Sequence, residues 1–287
     1  MTHFVSKIQF KHYEKGEFTD EQKRTLQETL NLVADFPWAD QNHFTSIEET
    51  GPSVTIENNQ SEYIKIGLYY SGTYGVYYRD KFALVSKSYA ADLTELTKII
   101  TAFFENRLNA NDFKKDFFLW ISRYHFVSKS FVYNVKPFKT LLLSIFYIIY
   151  FIVLLCFVRS INSAAKFEKS STIFLVLFIL LCYCLCKIAA VHCRYKKHFI
   201  KVSKASATFT YGNGVNIKEY NKADIESITT FSPKNNRSPN MFFVFIINFV
   251  NGDKIKFNNM MISESIVTTK FPNTKFTISK GSSFWKL

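Results

Sequence analysis

The residue types best able to do chemistry crowd into one stretch, Ile173 to His198, "IFLVLFILLCYCLCKIAAVHCRYKKH", which holds Cys182, Cys184, Cys186, Lys187, His192 and Cys193. Thiolates and imidazoles at short intervals are the raw material of a metal or redox centre. The spacing argues against one. At about 100° per residue on a helix, Cys182, Cys186, Ala189 and Cys193 fall within about 60° of one another, while Cys184 lies opposite. Cysteines on opposite faces of one helix cannot converge on a single ion. What remains is a stripe of small residues spaced 4, 3, 4, the pattern that lets membrane helices approach closely. Its partner is either the other apolar segment or a second copy of the chain, so a homo-oligomer built on this hairpin is one expectation.

Other chemistry leaves little trace. The nucleophile elbow, phosphate-binding loop, dinucleotide fingerprint, H-E-x-x-H and calcium-loop patterns are all missing. The histidines (3, 12, 43, 125, 192, 198) are scattered. We expect no enzyme activity, no cofactor and no metal. All five cysteines sit in or beside the apolar segments, so the soluble parts have no disulfide framework and suit a reducing compartment. The N-terminus shows no apolar core or cleavage site of a signal peptide.

The elements that carry the cysteines are membrane spans by length and composition. Leu141 to Val158 is 18 residues without a charge, and Ile173 to Val191 is 19 with only Lys187; each suffices to cross about 30 Å of hydrocarbon. Lys187, near the inner end, can snorkel to the interface as an anchor. Only 14 residues separate the spans, so they form a hairpin with both flanking regions on one side. The 20 residues before Leu141 (Arg123, Lys129, Lys136, Lys139) and the 20 after Val191 (Arg194, Lys196, Lys197, Lys201, Lys204) carry nine Lys/Arg against three in the loop. The positive-inside rule then places both termini in the cytoplasm of a multi-pass protein of the inner (plasma) membrane.

Charge is unevenly distributed. Residues 1–135 hold 15 Lys/Arg against 17 Asp/Glu, net −2, and residues 136–287 hold 21 against 6, net +15. A basic surplus beginning where the apolar segments begin points to anionic lipid headgroups, and no nucleic-acid motif accompanies it. Lys196, Lys197, Lys201 and Lys204, with Lys234 and Arg237 in the loop "SPKNNRSPN", are the candidate lipid contacts; positive-inside topology alone would also explain the juxtamembrane ones.

The N-terminal region, 1–107, reads as a compact α+β domain. Thr19 with Gln22 forms a capping box, opening a helix with Leu26, Leu30 and Val33 on one face that stops by Pro37. Four strand-like runs from Ser53, Glu62, Tyr74 and Phe82 suggest an antiparallel meander, and Leu93, Leu96, Ile99, Ile100 and Phe103 a second helix. Trp38 and Tyr69, Tyr70, Tyr74, Tyr77 and Tyr78 are the candidate contacts for a protein partner, since aromatic side chains with polar tips are favoured in interfaces; packing within the domain would use the same residues. Residues 108–138 read as a juxtamembrane connector, dense in aromatics and ending in a strand-like run at Phe131, Tyr133 and Val135. From 194 onward the chain is a succession of short strands with a late helix near Ser263 to Lys270, the pattern of a small β-barrel or sandwich.

The order of "NDFKKDFFLW", a two-helix hairpin and a β domain containing "GVNIKEYNKADIESI" resembles the bacterial PH-like proteins of the YcxB-like type, with Tyr220, Ala223, Asp224 and Ile225 at the turn between strands. The resemblance spans Asp112 to Phe276 and implies an all-β PH-like roll closed by a helix. It carries no implication of phosphoinositide binding, because no Lys-x-Arg cradle follows an early strand. The N-terminal domain resembles, in size and shape class, small α+β immunity-type domains of bacterial toxin systems. Together these imply a non-enzymatic membrane protein that binds a protein partner; a lipid-responsive regulator working through the PH-like domain is the alternative.

Overall fold

The computed structural model describes residues 2–41, 51–69, 72–115, 123–165, 170–232 and 243–280. The chain divides into two compact units, Met1–Ser130 with Ser203–Ser206, and Phe131–Val202 with Ala207–Leu287.

The first unit is a seven-stranded antiparallel sheet: β1 (Phe4–Gln9), β2 (Thr19–Arg24), β3 (Ser53–Glu57), β4 (Tyr63–Leu68), β5 (Tyr74–Arg79), β6 (Val85–Ala90) and β7 (Lys114–Lys115), in spatial order β2-β1-β3-β4-β5-β6-β7. The expected meander is its centre, β3 to β6, but a hairpin precedes it and a short strand extends it. Helices α1 (Leu26–Asp35) and α3 (Leu93–Phe104), with the single turn α2 (Trp38–Gln41), lie on one face. There Ile64, Ile66, Val76, Tyr74 and Tyr78 meet Val33, Leu96, Ile100 and Phe103.

Thr19 does not open a helix. Residues 19 to 24 pair with β1, Phe4 opposite Arg24 and Val5 opposite Lys23, and the capping box forms later. Thr25 Oγ1 accepts from Glu28 N (3.3 Å) while Glu28 Oε2 accepts from Thr25 N (2.7 Å). Both quartets satisfy the local pattern; the edge of β1 recruits the first into a ladder and leaves the second as the cap. Helix α3 is capped by Asp92, which accepts from Glu95 N at 2.8 Å.

The second unit packs two four-stranded sheets. One holds β8 (Val132–Asn134), β9 (Phe199–Val202), β10 (Thr208–Gly212) and β11 (Ile217–Asn221) in the order β11-β10-β9-β8. The other holds β12 (Ile225–Ser232), β13 (Val244–Phe249), β14 (Lys254–Asn258) and β15 (Phe276–Lys280) in the order β14-β13-β12-β15, with α6 (Glu264–Lys270) between β14 and β15. Inward residues of both sheets meet α6 in one core that includes Phe209, Phe245, Phe249, Phe257, Val267 and Phe271. Phe209, Tyr220 and Phe249 stack with centroids 4.7–6.3 Å apart.

Between β8 and β9 the chain leaves the sandwich as two long helices, α4 (Pro137–Ala165) and α5 (Ser170–Tyr195). Both are long and apolar enough to cross a membrane, over Pro137–Ser160 and Leu175–Tyr195. Proline at the first position of α4 starts the helix at no hydrogen-bond cost.

The stretch 108–138, read as a connector, is divided between the units. Phe113 packs in the first core and Phe126 against Tyr63 and Tyr77, whereas Phe131 onward begins the second unit with β8. Phe113, Phe126 and Phe131 are buried, whereas Tyr124 and Phe138 are exposed, and the aromatics at 117, 118 and 120 lie outside the described residues.

Candidate functional sites

The face of the N-terminal sheet opposite the helices carries the most unusual chemistry. Cross-strand register places Lys7, Thr55, Lys65, Tyr77, Lys87 and Lys114 in one row across six strands. Part of this row is covered by residues 123–129 and by the turn around Phe18. Lys7 is 1% and Lys65 2% exposed. Lys65 Nζ donates to Gln9 Oε1 (2.9 Å) and to the carbonyl of His125 (3.1 Å). Lys7 Nζ lies 3.6 Å from Glu21 and 4.6 Å above the Phe18 ring. Burial holds the Lys7 ammonium below the ordinary lysine range, with Glu21 and Glu57 opposing that shift. Between the two lysines the buried Thr55 hydroxyl finds no hydrogen-bond partner among the described residues. Alternation does put Lys65 opposite Ile64 and Ile66, as the sequence indicates; its burial depends on a cover that arrives 60 residues later.

Further along the row Lys87 Nζ sits among three tyrosine rings, 4.9 Å from Tyr69, 5.1 Å from Tyr77 and 4.8 Å from Tyr89. Burial works against its charge, but the hydroxyls of Tyr89 and Tyr77 more than offset it, and the net shift is upward. Three phenol faces around one ammonium form a cation–π cage. Tyr89 is exposed and Tyr69 half-buried, so the cage opens to solvent.

The structure sorts the aromatic candidates. Tyr74 and Tyr78 are buried on the helix face. Trp38 is buried with them, its Nε1 donating to the Val33 carbonyl at 2.9 Å and its ring 4.4 Å from Phe36. Tyr77 faces the other way but lies beneath Phe126. These four are packing residues, because period-two alternation alone cannot say which face of a sheet receives a cover. Tyr69 stays at the surface, and Tyr70 lies outside the described residues. Tyr89 and, unanticipated from the sequence, Lys87 complete the accessible group.

In the second unit the feet of the helical hairpin are built into the sandwich. Strand β8 pairs with β9, Asn134 opposite Phe199, and Val135, Val191 and Tyr195 enter the core. Thr140 Oγ1 and His192 Nδ1 meet at 3.0 Å between the helices. The half-buried positions, among them Thr140, Ser144, Tyr147, Phe151, Leu154 and Val158 of α4 and Leu177, Leu181, Cys184 and Leu185 of α5, repeat at helical spacing and mark the facing stripes. Cys182, Cys186, Ala189 and Cys193 are exposed. The small-residue stripe therefore points away from α4, and Cys184, opposite to it, lies on the packed side; bulky leucines and aromatics fill this helix pair. Lys187 Nζ rests 4.3 Å above the ring of Tyr183, one turn earlier. Among the described residues no group of three His, Cys, Asp or Glu gathers as a metal site.

Lys196, Lys197 and Lys201 are exposed at the α5–β9 junction. Lys204 belongs to the first unit, half-buried, its ammonium 5.7 Å above Tyr13 and its backbone N–H donating to Glu17 Oε1. Lys234 and Arg237 lie outside the described residues. Below the junction His198 Nδ1 meets the Tyr211 hydroxyl at 2.7 Å, which also donates to the Lys256 carbonyl (2.9 Å). Burial, then Arg194, lowers the His198 pKa; burial, then Tyr195 and Tyr220, pushes Tyr211 up to about 12.

Residues 132–270 match a family model described as PH domain. The match runs from β8 through α6 and includes both long helices, so the C-terminal part contains a PH-like domain whose first two strands flank the helical hairpin. No curated protein and no solved structure matches the chain.

Proposed function

We propose that this chain is a two-span protein of the plasma membrane with both termini in the cytoplasm, acting by binding rather than by catalysis. Its PH-like domain is the membrane-proximal body, and its N-terminal unit presents the Lys87–tyrosine cage to a protein partner, in the manner of an immunity or interaction protein of a bacterial toxin system. The observation that carries the membrane part is the insertion of α4 and α5 between the paired strands β8 and β9, with Val135, Val191 and Tyr195 in the domain core. Helices so joined to a folded domain, yet with Ile145, Phe146, Ile149 and Phe157 outward on α4, need an apolar solvent around them. The partner part is supported by the cage, which opens to solvent at Tyr89 and Tyr69 over a buried Tyr77 and whose aromatic and cationic make-up is that of interface centres.

A photo-crosslinking amino acid at Tyr89 of the full chain in cells tests both parts. The chain should stay in membranes through alkaline carbonate extraction and give a discrete adduct that disappears with Lys87→Glu. Release by carbonate sinks the membrane reading, and an adduct indifferent to Lys87→Glu sinks the assignment of the cage. For the immunity form, cells expressing Lys87→Glu should lose protection against the cognate toxin while keeping normal protein levels.

A further inference from the structure

We infer that the tip of the β10–β11 hairpin, carrying Val215 and Ile217, is a second, shallow membrane contact that seats the PH-like domain on the lipid surface; this rests on the membrane reading above. Register fixes where the tip lies. Asn134, Phe199, Gly212 and Ile217 are paired in turn across β8, β9, β10 and β11 and form the last row of their sheet. From this row the chain passes on one side into α4 and α5, and on the other into the turn 213–216. The turn and the helix ends therefore leave the sheet at the same edge.

Close packing holds them together. A Cβ on Gly212 would stand 2.2 Å from the Phe199 ring, and one on Gly214, at φ +84°, 2.6 Å from Lys197 Cβ. Only glycine lets the hairpin lie this near the end of α5, and the left-handed turn at Gly214 suits glycine alone. Lys197 is two residues beyond the last residue of α5, so the tip is held beside the point where the helix meets the membrane surface.

The tip is apolar where a water-facing turn would be polar. Val215 is 87% and Ile217 69% exposed, with exposed Lys196 and Lys197 beside them. A headgroup layer is about 5–8 Å deep on each side of the hydrocarbon, and the turn of helix from Pro137 to Leu141 rises about 6 Å. The start of α4 is thus at the outer limit of the headgroups, and the turn, which leaves the sheet on the same side as the helices, projects from the edge row toward them. Aliphatic side chains gain from that layer about in proportion to the area they bury, and each neighbouring lysine is attracted to anionic phosphates. The chemistry selects an anionic phospholipid surface, bound by wedge and charge, rather than a specific headgroup. Lys218, adjacent to Ile217, is engaged by Asp253 at 2.6 Å, which ties the hairpin to the β13–β14 turn and stiffens it.

The test uses the full chain in nanodiscs of anionic phospholipid, brominated in parallel samples near the carbonyl end and deep in the acyl chains, so that shallow and mid-span probes each have a quencher at their own depth. An environment-sensitive fluorescent amino acid is placed singly at Val215, at Ile149 in α4, and at Asn221 at the opposite end of β11. All three positions are exposed, so the probe does not threaten folding. Quenching and a blue shift are expected at 215 and at 149, and neither at 221. If 149 is quenched while 215 behaves like 221, the tip faces water or a protein and the inference is overturned with the membrane reading intact. If 149 is unquenched, the helices do not span and both fail. Ile217→Asp should weaken quenching at 215 severalfold without changing it at 149; equal quenching in that variant also overturns the wedge.

Discussion

The two units bury their sheets in opposite ways. The PH-like sandwich encloses aromatic and aliphatic side chains, with Phe209, Tyr220 and Phe249 in one stack. The N-terminal sheet has such a core on its helix face, but on the other it buries Lys7, Lys65, Gln9, Glu17 and Thr55 under a thin cover. An apolar core is stabilised in proportion to area and tolerates small shifts. A buried polar layer is held by a few directional contacts and is costly where one is missing. The first arrangement suits a body joined to a long apolar helical hairpin. The second concentrates cations on one sheet face and ends in a tyrosine cage that opens to solvent at Tyr89, the feature on which the proposed partner binding rests.

Perturbations should separate these interiors. The largest effect is expected from Phe245→Ala in the sandwich, a loss of about 3–5 kcal/mol from lost transfer energy plus a cavity, read by thermal unfolding of the full chain in detergent. If it costs no more than a surface substitution, the sandwich core is not close-packed. In the polar layer, Lys65→Met keeps the volume but leaves Gln9 Oε1 and the His125 carbonyl without that donor, and should cost about 1–3 kcal/mol. Thr55→Val, one strand away, removes a hydroxyl that has no partner among the described residues and should stabilise the unit by about 1 kcal/mol. A loss on Thr55→Val would mean that the hydroxyl is bonded.

The smallest effect is a pH dependence confined to the second unit. His198 has a folded pKa below its unfolded value of about 6.5, so within that window the unfolded chain binds more protons and stability falls as pH drops below it. Tyr211, held neutral up to about 12, makes the unfolded chain the better acid above about 10, so stability also falls from there toward 12. Hydrogen exchange of the β9 and β10 amides should show a plateau between these limits, with the acid limb reduced in His198→Phe and the alkaline limb in Tyr211→Phe. Unchanged limbs in both variants would assign the dependence to other groups.

Much of the fold is legible in the residues. The apolar runs 141–158 and 173–191 fall within α4 and α5, because a helix that is apolar all round announces itself by length alone. Ile64, Ile66 and Leu68 mark β4, and Leu96, Ile100 and Phe103 the buried side of α3, because those patterns have the period of the element. The β1–β2 hairpin was hidden: "TDEQKR" is polar throughout, has a helix-cap pattern, and becomes a strand only through the edge of β1. The candidate sites were less legible than the fold. Lys7 and Lys65 look like solvent-facing lysines until Phe18 and residues 123–129 cover this face, and Lys87 gains its cage from tyrosines on β5, on β6 and just past the end of β4.

By itself the sequence determined the two apolar helices, the β-rich C-terminal part and the segregation of positive charge after residue 135, because length, period and composition are properties of the chain. Tertiary structure alone decided which tyrosines are surface and which are core. It also decided that the cysteine stripe faces away from α4, that β8 and β9 clasp the hairpin, and that Val215 stands beside the end of α5. Each of these depends on which face another segment covers, and that is set by long-range pairing whose partners are chosen by the whole fold's burial of apolar area rather than by any local run of residues.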